Sequence, residues 1–551
     1  MSPSRAVLMV GEGNFSFSAS ACQLYSESET TVTATCLQHQ EEALRHEGAA
    51  DNIQTIKDSG TVLFEVDCTK LGECASLQGH LFDRVVFNFP HCGRKSGVKK
   101  NRELLRNFFL SCVQVLAESG EVHVSLCNGQ GGTPADQPKR EWHNSWQAVA
   151  MAAEADLILS AIHPFESDKH QSYKCTGYRS QDKGFHVEKA LVHMFTRSIP
   201  YTPAHLLKVE EVVEGEKVQR FLYSDSVHPV KLVQDFLLEG LAKKWPVSMM
   251  TETIPFLLTA KQLQTHCCGI DGAQCYWIHL LQKDLTSDTD TSADKENDPR
   301  PTETLLPTCL ASNKGGNEKD DLLYGISGVV FRNVPIGLWA MPAFHELLIQ
   351  GVFPSESEPG KLLGEKLETL LAPFGVSIVT EQGGLRLKAQ PVGLVGKVFA
   401  SDVSDNNNHV RITASLNLDL LAVLLFSLPD WRLLWSHDPR FLKQFSSHPS
   451  PGTPFHPFCL YPEPFTFDIS FWTGPTWEEK NFHAVVREAS CGTVEQVKLI
   501  DRFSHPDLSQ TSYCYRLIYH SHTHALSHTR ALQFHKHLET LLSSRLQVTI
   551  R

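Results

Sequence analysis

Three stretches carry residue types at spacings that could do chemistry. The first is Val10-Gly11-Glu12-Gly13-Asn14-Phe15-Ser16, which follows a buried-strand pattern and precedes a helix pattern. Glycines at such a turn let a ligand approach the backbone and open a helix N-terminus toward it. A pyrophosphate cradle needs G-x-G-x-x-G, but Ser16 stands at the third glycine and no Walker lysine follows Gly13. The shorter form suits S-adenosylmethionine, which has no pyrophosphate; it also makes an ordinary tight turn. The second stretch, Phe82 to His91, reads as a strand ending in Asn88-Phe89-Pro90-His91. It lies at the carboxyl end of a middle strand, where doubly wound folds place ligands. The third, Arg94-Lys95-Ser-Gly-Val-Lys99-Lys100-Asn-Arg102, is basic at five of nine positions. It is a candidate phosphate grip, or else a solvated loop.

The Asn88–His91 pattern is similar to the Asn/Asp-Pro-Pro-aromatic motif of nitrogen-directed methyltransferases. That likeness implies that the Asn88 side-chain carbonyl and the Phe89 carbonyl orient a target nitrogen. Pro90 fixes the turn that aims them. Gly11–Ser18, Asp67-Cys-Thr69, Phe82–Gly93, Asn101–Phe109, Gly120–Ser125, Trp146 and Gly177-Tyr178-Arg179 together resemble the uracil-N3-specific large-subunit rRNA methyltransferase family. The resemblance covers roughly residues 5–200. It implies a class I, Rossmann-like methyltransferase fold, S-adenosylmethionine as donor and a uridine in RNA as acceptor. Gly11, Glu12, Gly13, Asn14, Phe15, Gln38 and Asp67 would then hold the donor. Asn88, Phe89, Pro90 and His91 would serve catalysis, with His91 accepting or relaying the N3 proton. The uridine would have to be extruded from folded RNA. One departure stands out. Gln38 occupies the end of the second strand, where class I enzymes place an acid for the ribose hydroxyls. Its hydrogen bonds lack charge assistance.

These residues need elements to position them. The chain has 551 residues, a prior of three or four domains, with 41% apolar and 20% charged residues. That composition excludes a wholly disordered or fibrous chain. A net charge of −12 excludes nucleic-acid binding by bulk charge, so RNA must meet local basic patches. The 15 cysteines are scattered with no CxxC pair, which points to a reducing compartment, cytoplasmic or nuclear and nucleolar. No stretch suggests a signal peptide or a membrane helix. Strands are expected at 6–10, 31–37, 62–66, 85–89, 121–126 and 190–196, with helices between them at, for example, 41–46 and 101–117. Glu118-Ser119-Gly120 reads as a helix stop. This alternation predicts a parallel doubly wound sheet within residues 1–205. A polar, acidic run predicts disorder at 283–321, and Pro/Ser-rich residues predict a linker at 446–458.

Residues 206–445 resemble phenylalanyl-tRNA synthetase catalytic domains at Tyr223–Val230, Ser415–Ala422 and Trp431–Phe445. The family's ATP-clamping arginine is Leu420 here, and its glycines are Ser415 and Asn417. Leucine cannot replace a guanidinium on a triphosphate, so an active aminoacyl-tRNA ligase is not expected. A diverged class II-like α+β platform is. Residues 458–551 follow a β-α-β-β-α-β order, the ferredoxin-like arrangement. They resemble the ferredoxin-fold anticodon-binding domain of phenylalanyl-tRNA synthetases, with Phe467 where the pattern has arginine. Arg487, Arg502 and Arg516 are candidate RNA contacts, or else structural. His520, His522, His524 and His528 read as a solvated run, with no carboxylate at ligand spacing, so no metal is expected. Two functions fit: an RNA methyltransferase acting on rRNA or tRNA, or an inactive RNA-binding scaffold built from decayed domains.

Overall fold

The structure, a computed structural model, describes residues 5–26, 29–93, 96–170, 172–175, 187–201, 220–222, 225–250, 257–266, 272–278, 303–309, 322–381, 383–402, 408–475, 477–506 and 510–551. Gly177–Arg179, Tyr223, Ser224, Arg94, Lys95 and most of 283–321 lie outside these residues.

The first sheet has seven strands: β1 (Arg5–Val10), β2 (Thr30–Thr35), β3 (Thr61–Leu63), β4 (Phe82–Asn88), β5 (Leu116–Leu126), β6 (Leu157–Pro164) and β7 (Leu191–Arg197). Their order is β3-β2-β1-β4-β5-β7-β6. Strands β1 to β5 run parallel, but β7 pairs antiparallel with both β5 and β6. The wholly parallel sheet expected from the alternation is therefore corrected at its last two strands, and β6 was not anticipated. The central strands are near-continuous apolar runs because helices cover both faces. These helices are α1 (Ser16–Leu24), α2 (Gln40–Ala43), α3 (Ala49–Lys57), α4 (Val98–Cys112) and α5 (Ala148–Ala153). Helix α4 ends five residues earlier than expected. Leu116 already pairs with Phe82, and the chain bulges before Glu121 resumes opposite Arg84, so Glu118-Ser119-Gly120 lies inside β5.

The middle region opens with α6 (Pro229–Ala242) and β8 (Val247–Met249), followed by β9 (Leu257–Thr259), α7 (Ala260–His266), β10 (Trp277–Ile278) and β11 (Glu303–Leu305). Then come β12 (Leu323–Phe331), β13 (Ala343–Pro354), α8 (Pro359–Leu371), β14 (Val376–Glu381), β15 (Gly384–Ala389), β16 (Gly393–Asp402), β17 (His409–Asn417), α9 (Leu418–Leu425) and α10 (Pro439–Lys443). Its main sheet, β14-β15-β16-β17-β13-β12-β8, is antiparallel except where β8 joins β12. This is the expected α+β platform. The positions that depart from the synthetase pattern have structural partners. Asn417 caps α9 through Leu420 N, Ser415 Oγ donates to the buried Glu346, and Leu420 is in the core.

Two sequence expectations fail here. Glu303–Leu305 form β11, and Leu305, Leu306 and Cys309 are buried, because apolar residues resume inside the polar insertion. The proposed linker packs Phe455 against Phe441 and Phe445, and Gln444 ties it through His456. Its aromatic residues outweigh the Pro/Ser turn signals.

The last region is β18 (Phe465–Trp472), α11 (Glu479–Ala489), β19 (Val494–Ser504), β20 (Thr511–Tyr519), α12 (His528–Arg545) and β21 (Thr549–Ile550), with sheet order β19-β20-β18-β21. That is the ferredoxin-like topology, with both helices packed on one face. It docks on both other regions. Tyr201 Oη donates to the Ala525 carbonyl at 2.9 Å, Leu460 N to Leu159 O at 2.7 Å, and Arg432 to the Gly492 and Thr493 carbonyls. Among the described residues no helix is long and apolar enough to cross a membrane. The described cysteines are free, six of them buried.

Candidate functional site

Strand β1 pairs with β2 on one side and β4 on the other, so the chain switches direction of winding at β1/β4. Open α/β sheets leave a crevice at such a point. Val10 sits opposite Phe87, which brings the Gly11–Phe15 loop and the Asn88–His91 turn out of the sheet side by side. Gly11 adopts φ +71°, and an added Cβ would lie 2.4 Å from Phe87 Cε2. The loop is latched to the end of β2 by Glu12 N donating to Thr35 O at 3.0 Å. Asn14 Oδ1 accepts from Ser16 N at the start of α1, and Asn52 Nδ2 donates to the Asn14 carbonyl at 2.9 Å. Phe15 turns through φ +60° with its ring fully buried against Phe64. The Glu12 carboxyl reaches Ser18 N, and burial pushes its pKa up to about 7. Burial also raises the pKa of the nearby Cys22 and Cys36 thiols, and the Glu12 charge adds to this when the carboxyl ionises.

The two outer donor-site candidates are held by local partners. Gln38 Oε1 lies 3.0 Å from His46 Nε2, and its carbonyl accepts from Glu65 N. Asp67 Oδ1 accepts from Thr69 N and Oγ1 at 2.9 and 2.7 Å, which closes the turn after β3.

Asn88 is fixed by Ser125 at the end of β5, whose Oγ donates to Asn88 Oδ1 at 2.6 Å. Phe89 adopts φ +50°, a conformation costly for a bulky residue, and its N–H donates to the Ser125 carbonyl at 2.8 Å. Its ring packs edge-on against Phe165, so what it can offer a substrate is backbone. His91 Nδ1 accepts from Gly93 N at 2.9 Å, which puts the neutral ring's proton on Nε2. Asn101 braces the turn by accepting from Cys92 N at 3.1 Å.

A roof of aromatic residues beyond β6 was missed in the sequence. Phe165, His170 and Tyr173 pack on Phe17 of α1, and Lys174 N donates to Ser16 Oγ at 2.9 Å. No motif marks these residues; they reach the site only because β6 runs to the same edge. Ser125 falls within a stretch quoted for the family resemblance, but its hydrogen bond to Asn88 needs the β4–β5 register.

The candidate RNA contacts divide. Lys99 and Lys100 are exposed on the first turn of α4. Arg102, expected to reach phosphate, instead holds the carbonyls of Ser145, Trp142 and His143. Arg487 is buried and bonded to the Val334 carbonyl, a structural role. Arg516 pairs with Asp468 through two bonds at the surface, and exposed Arg502 lies over the Tyr513 ring.

The chain's likenesses agree with this geometry. Residues 8–177 match the model of the rRNA (uridine-N3-)-methyltransferase BTM5-like family, and residues 460–551 match that of the ferredoxin-fold anticodon binding domain. Human ferredoxin-fold anticodon-binding domain-containing protein 1 is 36% identical, covering 97% of this chain and 98% of its own length. The chain belongs to that family. A mouse homolog is 35% identical over 99% of this chain and all of its own. The mouse mitochondrial phenylalanine–tRNA ligase is 42% identical over 22% of this chain and 27% of its own. A methyltransferase-like domain joined to an anticodon-binding module is thus the family's composition in this chain.

Proposed function

We propose that the first domain transfers a methyl group from S-adenosylmethionine to N3 of a uridine in RNA, while the C-terminal module grips that RNA. The observation that carries this reading is the Val10–Phe87 register, which sets the donor loop and the Asn88–His91 turn side by side at the switch point. The residues present fit the donor. The Gly11–Phe15 loop, Glu12 and Asn14 would hold it, with Asp67 on the adenine side, and it supplies an activated methyl group. Asn88 and the Phe89 carbonyl orient the imide, and positioning accounts for much of the acceleration. In the tautomer set by Gly93, His91 offers Nε2–H to an imide oxygen rather than taking the N3 proton. That hydrogen bond stabilises the anion as the proton leaves to water. The same tautomer revises the expectation that His91 accepts or relays the proton, because Nδ1 is engaged.

The test is calorimetric titration of S-adenosylmethionine, then methyl transfer to rRNA and to tRNA with wild type and Asn88→Ala. Donor binding retained within about threefold, with transfer lowered roughly 100-fold, is the expected result. One observation favours a second reading, an inactive RNA-binding scaffold. Gln38 is uncharged and engaged by His46 where the ribose-binding acid belongs. Folded protein that binds no donor, with or without RNA, would establish the scaffold instead.

A further inference from the structure

The sequence reads the histidines after β20 as a solvated run, but His520 and His522 are each only partly exposed. They lie in the turns beyond that strand, and a carboxylate from the neighbouring strand β19 joins them. One ligand atom each from Glu495, His520 and His522 falls within 4.8 Å of the others.

The hydrogen bonds of His520 decide what this cluster can hold. Its Nε2 lies 3.2 Å from the Pro462 carbonyl, which can only accept, so Nε2 carries a proton. Its Nδ1 lies 3.2 Å from Glu495 Oε1, also an acceptor. In a neutral ring these two lone pairs would face each other and repel. Only a proton or a cation between them makes the arrangement favourable. A backbone carbonyl holding the outer N–H while the inner nitrogen faces a carboxylate is the support that metal-bound imidazoles use. The His522 ring lies edge-on to that of His520, with ring centroids 4.5 Å apart, so both imidazoles converge on the Glu495 carboxylate. Arg432 approaches Glu495 Oε1 only to 3.9 Å, because its guanidinium already grips Asp430 and the Gly492 and Thr493 carbonyls.

We propose that Glu495, His520 and His522 bind a divalent zinc-class cation through one carboxylate oxygen and two imidazole nitrogens, with water completing a tetrahedral set. The site does not depend on the methyl-transfer reading. It ties the start of β19 to the loop after β20, beside the seam that Arg432 makes with the middle region.

The experiment uses the full chain after chelator treatment. Zn²⁺ is titrated calorimetrically, and Co²⁺ is added in parallel to read the ligand type from its visible spectrum. Wild type should take up about one equivalent, with a cobalt spectrum lacking a thiolate charge-transfer band, and zinc should raise its Tm by mass action. His522→Asn and Glu495→Gln should each weaken binding by roughly tenfold or more. His528→Asn, outside the cluster, should not. Circular dichroism checks that each variant folds, and His522→Asn in the loop suffices if Glu495→Gln does not. Folded wild type without saturable binding overturns the proposal in favour of a proton bridging His520 and Glu495. So does binding with a thiolate signature, or binding that both variants leave unchanged.

Discussion

Glu12 makes the Gly11–Phe15 loop sensitive to pH. Burial raises its pKa from the ordinary 4.5 to about 7, so between those values the folded chain holds a proton that the unfolded chain has released. Stability from this group is therefore full below pH 4.5 and is lost as pH rises toward 7. Glu12→Gln removes that slope. Above pH 7 the variant should be the more stable by up to about 3 kcal/mol, and near pH 4 the two should converge. Urea midpoints across this range measure it; parallel profiles would mean that Glu12 is ionised and solvated. Gly11 is constrained differently. Gly11→Ala forces a Cβ to within 2.4 Å of the Phe87 ring at a positive φ. It should cost about 1–3 kcal/mol and displace the loop, seen as a lowered Tm together with weakened donor affinity.

At the scale of elements, α4 separates two kinds of cation that look alike in sequence. Lys99 and Lys100 face solvent on its first turn, while Arg102 reaches back to three carbonyls of the 142–145 turn. Lys99→Ala and Lys100→Ala should each reduce the slope of log K against log salt for RNA binding by about one, with Tm unchanged. Arg102→Ala should leave the slope alone and cost about 1–3 kcal/mol of stability, since the carbonyl of the buried Ser145 loses its charged donor. The opposite pattern in either measurement would reverse the assignment. The sequence shows the basic cluster but not this split, because the carbonyls that claim Arg102 lie some forty residues away. The same limit recurs elsewhere. Local signals were enough for the Gly11 loop, the Asn88 turn and the whole C-terminal β-α-β-β-α-β order, where turn residues and periodicity agree. They were not enough for β6, whose strand partner among the described residues, β7, lies beyond it in the sequence. Nor did they reveal Ser125 behind Asn88, or Glu495 beside His520, since both depend on strand register.

At the scale of the molecule, the question is whether the C-terminal module is tethered or fixed. The contacts argue that it is fixed. Arg432 bridges the middle and C-terminal regions through Asp430 on one side and the Gly492 and Thr493 carbonyls on the other, while Tyr201 stacks on His524 from the first region. Asp430 is only 4% exposed, so Arg432→Ala would strand a buried carboxylate at a cost of about 3–5 kcal/mol. Replacing both partners with leucine removes the stranded charge and should recover much of that loss, although the bonds to Gly492 and Thr493 stay broken. Calorimetry of the full chain separates the effects. If the seam couples the regions, wild type unfolds with the C-terminal module in one cooperative transition, and Arg432→Ala splits off an earlier one. If the module already melts separately in wild type, the docking is loose, and any distance between the methyl-transfer site and the gripped RNA would be set by a hinge. A fixed seam instead makes that distance a property of the fold. An RNA substrate would then be chosen by the spacing between its target uridine and its gripped segment as much as by either contact alone.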